Sequence, residues 1–69
     1  MTRIKELRIN AGLSQADLAN ALNIHQTAVS QWETGRTHPD IPVLIAMANY
    51  FEVSLDYLAG RTNNPKISE

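Results

Sequence analysis

The chain has no cysteine among its 69 residues, so neither a disulfide nor a thiolate-bound metal can hold it together. Its stability must come from packed side chains or from contacts with another chain. Glycine and proline are sparse at three each, beside 43% hydrophobic and 19% charged residues, which excludes collagenous and disordered classes and leaves ordinary globular usage. No apolar run approaches the length of a membrane span, and the start Met1, Thr2, Arg3, Ile4, Lys5, Glu6 lacks the apolar stretch of a signal peptide. A cytoplasmic protein with no membrane partner is the expectation. Excess positive charge is missing too. The formal net charge of -1 argues mildly against a nucleic-acid partner, so any DNA function must rest on local geometry.

Catalytic and metal chemistry lack their constellations. His25 and His38 are the only histidines, and without cysteine or a clustered carboxylate they have no metal-ligand spacing, so neither a metal nor another cofactor is expected. Ser14, Asp17 and His25 are the residue types of a hydrolytic triad. Ser14 is needed as a helix cap, however, and no glycine-rich oxyanion loop accompanies it, which argues against an enzyme.

What is present is helical periodicity in one small domain, residues 1–60, followed by a polar tail or linker at 61–69. Ile4, Leu7 and Ala11 share one face of a first helix, with Thr2 as its N-cap and Gly12 as its stop. Ser14 opens a second helix of about two turns, with Asp17 completing a short-armed capping box and Leu18, Ala19 and Leu22 as its stripe. Asn23 tolerates the left-handed turn that follows, and Ile24 plugs that turn from inside. A third helix begins near Gln26 and runs to Thr34, with Ala28, Val29 and Trp32 inward and Gly35 after its end. A fourth takes Asp40 as cap, Pro42 in its first turn and Ile41, Leu44, Met47, Ala48 and Phe51 as its stripe. Ser54 caps a short fifth through Leu55 and Leu58, ended by Gly60. The fold class is all-α, with five helices.

Three separated blocks then point to a family. Leu13-Ser14-Gln15-Ala16-Asp17-Leu18-Ala19, Val29-Ser30-Gln31-Trp32-Glu33-Thr34-Gly35 and Val53-Ser54-Leu55-Asp56-Tyr57-Leu58 resemble phage repressor and Cro-type (XRE-like) helix-turn-helix domains. That resemblance implies a compact lambda-repressor-like fold in which the third helix lies in a major groove of double-stranded DNA. It implies a transcriptional regulator, a repressor more than an activator, acting as a homodimer on a two-fold symmetric operator. Gln26, Thr27, Ser30 and Gln31 are the base-contact candidates. A glutamine amide donates and accepts together, matching the N6 and N7 edge of adenine, while threonine offers a hydroxyl and a methyl.

The resemblance further places Gln15 on a DNA phosphate, braced by Gln26, and Arg36 beside the backbone, with Thr34, Thr37 and His25 as added phosphate contacts. His25 is also the expected cap of the third helix. Arg8 and Glu33 are implied to form an internal ion pair, and Trp32 is read as core. The loop His38, Pro39, Asp40, Ile41, Pro42 is less basic than is usual in the family. Arg3 and Lys5 are therefore weighed as compensating phosphate contacts against plain solvated charges.

Val43, Ile45, Leu55, Tyr57 and Leu58 supply apolar surface near the C-terminal end, and Val43, Leu55 and Leu58 are the dimer candidates. The competing reading is a protein-interaction module of the same fold, such as an antitoxin. The near-neutral charge favours that reading, and the small polar face of the third helix opposes it.

Overall fold

The computed structural model describes residues 2–65, and these form five helices: α1 (Ile4–Asn10), α2 (Gln15–Leu22), α3 (Gln26–Thr34), α4 (Ile41–Phe51) and α5 (Leu55–Leu58). No strand occurs among the described residues. Three starts are set by short polar side chains. Ser14 Oγ accepts the Asp17 amide at 3.0 Å while Asp17 Oδ2 accepts the Ser14 amide at 2.9 Å, which closes a capping box. Asp40 Oδ1 takes the Val43 amide and Ser54 Oγ the Tyr57 amide. Each supplies an acceptor to an amide the helix itself leaves unpaired.

The first start differs from expectation. Arg3, not Thr2, occupies the N-cap of α1, and no side chain caps that helix. The cause is tertiary: the Arg3 amide donates to the Leu58 carbonyl at 2.8 Å, which draws this end of the chain onto α5.

All five helices stop by the same device. A left-handed residue follows each one, at Gly12, Asn23, Gly35, Glu52 and Gly60. The next amide then reaches back five residues: Leu13 to Arg8 O, Ile24 to Ala19 O, Arg36 to Gln31 O, Val53 to Ala48 O and Arg61 to Asp56 O, all between 2.8 and 3.1 Å. This closure satisfies carbonyls that the last helical turn orphans. Two of the reaching residues, Ile24 and Val53, also plug the core. Arg36 and Arg61 stay exposed.

The core gathers one or two residues from every helix: Ile4, Leu18, Ala19, Val29, Met47, Ala48 and Leu58, with Val53 from the α4–α5 turn. Leu7, Leu22, Ile24, Trp32, Val43, Leu44, Phe51 and Tyr57 pack around it. Three apolar residues fall elsewhere than expected. Ala11, expected on the inner face of the first helix, is its exposed C-cap. Ile41 is 70% exposed, because a side chain in the first turn of a helix leans back over the preceding loop rather than onto the helix body. Leu58 has no exposed surface at all, so it is core and cannot serve as a dimer contact while the domain is folded.

The segment after Gly60 is not a free tail over its described part. The Ser54 amide donates to Pro65 O at 3.0 Å. Arg3 spans the same region: Nε donates to Tyr57 O at 2.9 Å and Nη2 to Thr62 O and Asn63 Oδ1 at 3.0 and 2.8 Å. Its guanidinium also lies 4.3 Å from the centre of the Tyr57 ring. The expected tail at 66–69 lies outside the described residues.

Candidate nucleic-acid interface

α2 and α3 pack more extensively than any other pair of helices. Their junction is short because Asn23 takes φ 57° and ψ 48°, the left-handed conformation that a short amide side chain tolerates at little cost. Ile24 then turns inward, and α3 starts at Gln26. This turn projects α3 with Val29 buried against the core and its opposite face outward.

On that face Gln26 and Ser30 are four residues apart, as are Thr27 and Gln31, so each pair stacks one helical turn apart. Gln26 and Thr27 are exposed, whereas Ser30 and Gln31 are half-buried. The side chains of Gln26, Thr27 and Ser30 form no intramolecular hydrogen bond among the described residues. From Gln26 to Gln31 the helix rises about 7.5 Å at ~1.5 Å per residue, a span of roughly two base-pair steps. Gln31 Oε1 accepts a long 3.5 Å bond from Thr37 Oγ1.

Other side chains are already engaged. The Thr34 hydroxyl points back along α3 to the Ser30 and Gln31 carbonyls, each at 3.2 Å. Its proton is therefore spoken for, and only its lone pairs face outward. His25 holds the N-cap position of α3 through its backbone, but its ring makes no capping bond. The expected side-chain cap is therefore absent, and His25 stays exposed. Arg36 stands exposed just beyond α3 and has no intramolecular side-chain partner among the described residues.

Behind this face lies a charged network. Arg8 Nε donates to Glu33 Oε2 at 2.7 Å and Nη2 to Oε1 at 3.1 Å, while Nη1 donates to Leu13 O at 2.7 Å. The two side chains retain 12% and 4% of their exposure. Burial works to raise the Glu33 pKa. The hydrogen bonds from Arg8 and Gln15, with the positive charges of Arg8 and Lys5, outweigh it and hold the carboxyl below its usual range. Gln15 joins by donating Nε2–H to Glu33 Oε1 at 3.1 Å. Its partner is thus Glu33 and not Gln26, which lies across the turn without an intramolecular side-chain bond. Arg3 is committed to the C-terminal segment, so it is not free to reach a phosphate alongside Lys5. No group of three or more acidic, histidine or cysteine residues among the described residues is placed to hold a metal ion. Among the described residues no helix is long and apolar enough to cross a membrane.

The helix-turn-helix family profile matches residues 4–58, which takes in all five helices. The chain belongs to the helix-turn-helix family, in its Cro and repressor type. This helix-turn-helix chain is 37% identical over 67 residues to the HTH-type transcriptional regulator ImmR of Bacillus subtilis, covering 97% of this chain and 53% of that protein. It is 34% identical over 56 residues to the HTH-type transcriptional activator BcrR of Enterococcus faecalis, covering 81% and 28%. Among solved structures, a transcriptional regulator from Listeria innocua superposes with a TM-score of 0.81 at 34% identity, covering 90% of this chain and 58% of that one. The chain therefore spans about half the length of the Bacillus and Listeria relatives, and about a quarter of the Enterococcus one.

Two features of this helix-turn-helix domain had no sequence signal. The Gln15 to Glu33 bond joins positions 18 apart, and the reach of Arg3 to Thr62 and Asn63 joins positions about 60 apart. Neither separation leaves a periodicity to read.

Proposed function

We propose that this chain is a sequence-specific regulator of transcription, a cytoplasmic protein that binds double-stranded DNA with α3 in the major groove. Gln26, Thr27, Ser30 and Gln31 read base edges. Arg36 and Gln15 bond phosphates and fix the register, with His25 adding a ring N–H and Thr34 and Thr37 their hydroxyl protons once these turn away from Ser30 and Gln31. The observation that carries this reading is the outward face of α3, where Gln26, Thr27 and Ser30 have no intramolecular side-chain partner among the described residues and Gln31 only a long bond from Thr37, inside a helix-turn-helix fold. A helix surface with few intramolecular ties and both donors and acceptors is suited to a groove.

Electrostatics favour a dimer. Of six lysines and arginines, Arg3 and Arg8 are consumed inside the fold, so one domain has little charge to offer phosphates. Two copies reading half-sites one turn apart, about 34 Å, double the contacts on a two-fold operator. Leu55, 43% exposed, and the half-buried Val43 offer apolar surface for that pairing. Occupying the operator excludes other proteins from it, which is repression. The sign of regulation is read with a reporter gene, since one relative carries the name of an activator.

A second reading, a module that binds a protein partner, is favoured by one observation. An open groove of about 430 Å³ lies between α4 and α5, lined by Ile45, Ala48, Val53 and Leu55 together with Asn49, Ser54 and Asp56. Selection from random duplex DNA separates the two. The regulator reading predicts enrichment of a two-fold symmetric site, and failure to enrich any site contradicts it.

A further inference from the structure

We infer that Glu33 is a positioning residue for the phosphate contact of Gln15, setting which way the glutamine amide faces. This rests on the proposal that Gln15 bonds a DNA phosphate. A glutamine amide is nearly symmetric in shape, yet its oxygen repels a phosphate and its nitrogen attracts one. An unrestrained Gln15 at the half-buried start of α2 would divide its time between the two orientations and pay rotamer entropy on binding.

Glu33 removes that choice. A carboxylate only accepts, so the group it faces at 3.1 Å must be the Gln15 Nε2–H. The second Nε2 proton is then held at a fixed angle to the first, free to donate elsewhere. The carboxylate is itself immobile, because both of its oxygens accept from Arg8 and its side chain is 4% exposed. Arg8 also grips the Leu13 carbonyl, two residues before Gln15, at 2.7 Å. The same ion pair thus fixes the backbone that carries Gln15 and the amide at its tip. Glu33 sits near the C-terminal end of α3, so the phosphate contact on α2 and the base-reading helix are locked to one frame.

A double-mutant cycle on duplex DNA carrying a selected site tests this, using the 69-residue chain with Gln15→Ala, Glu33→Gln and both. Gln15→Ala is expected to weaken binding about tenfold in the native background and less than about threefold in the Glu33→Gln background. An equal tenfold loss in both overturns the positioning role and leaves the Gln15 phosphate contact standing. No loss from Gln15→Ala in the native background removes the contact itself, and both readings fall.

Glu33→Gln strips Arg8 of its carboxylate, so its folding is checked by circular dichroism, and a second measurement needs no substitution. In the native chain the two Gln15 Nε2 protons should give separate NMR signals. One should be slowed in solvent exchange and shift with pH as Glu33 titrates. Two equally unprotected protons that ignore the Glu33 titration overturn the proposal.

Discussion

Arg8 and Glu33 meet across α1 and α3 in a two-pronged pair, with Nε to Oε2 at 2.7 Å and Nη2 to Oε1 at 3.1 Å. Removing one partner leaves the other charge in a largely closed site. Arg8→Ala or Glu33→Ala should therefore cost about 3 to 5 kcal/mol, read from urea unfolding midpoints. DNA binding lost in a variant that has unfolded then reports unfolding and not the positioning of Gln15. A cost under about 1 kcal/mol would place the pair among ordinary surface ion pairs.

The same carboxyl gives stability a pH dependence of defined sign. Glu33 has a lowered folded pKa, as does Asp17, whose carboxylate accepts the Ser14 amide. Their contributions are complete above the ordinary carboxylate range and disappear as the pH falls through that range to the lowered folded values. Unfolding midpoints should hold near neutrality and drop below about pH 5. Glu33→Gln should flatten that acid limb, and an unchanged limb in this variant contradicts the assignment.

Among the described residues Glu52 is the one left-handed residue that is neither glycine nor asparagine, at φ 56°. A side chain there is strained by about 1 kcal/mol, so Glu52→Gly should raise stability by roughly 0.5 to 1 kcal/mol despite the added freedom of the unfolded chain. Denaturant titration at constant slope measures it. A loss of stability would mean that Glu52 makes a compensating interaction.

Leu55 and Leu58 should part company. Leu58→Ala opens a cavity in the core and should cost about 2 to 5 kcal/mol. Leu55→Ala, at a 43% exposed site, should change stability by less than about 0.5 kcal/mol while weakening any self-association seen by sedimentation. Comparable destabilisation by both would contradict the burial difference.

Arg3 predicts a local opening. Arg3→Ala removes three charge-assisted hydrogen bonds and a ring contact, so amide exchange at Ser54, which donates to Pro65 O, should accelerate. Arg3→Lys should restore little, because a single ammonium cannot span acceptors that a planar guanidinium reaches together. Unchanged exchange at Ser54 would separate the two contacts.

The helices and their turns were legible because their causes are local. Ser14 with Asp17, Asn23, Gly35, Asp40 and Ser54 each act within a few positions of themselves, and their chemistry marks the boundary. Glu52 was not legible, since nothing in a glutamate announces a left-handed turn; burial of Val53 imposes it. Thr2 looked like a cap, but a bond from Arg3 to Leu58 decides where α1 begins. The segment after Gly60 reads as a linker by composition, yet Arg3 ties Thr62 and Asn63 down from the far end of the chain. On the candidate interface, the outward face of α3 follows from spacing alone. The orientation of Gln15 does not, because its partner lies on another helix.

If α3 reads sequence while Arg36 supplies only charge, salt titration of duplex binding separates the two roles. With a selected site and a scrambled control, Gln31→Ala should narrow the gap between the two duplexes and leave the salt slope unchanged. Arg36→Ala should weaken both alike and reduce the slope by about one. If the two variants instead change specificity and salt slope by the same amounts, the division of roles along α3 is wrong.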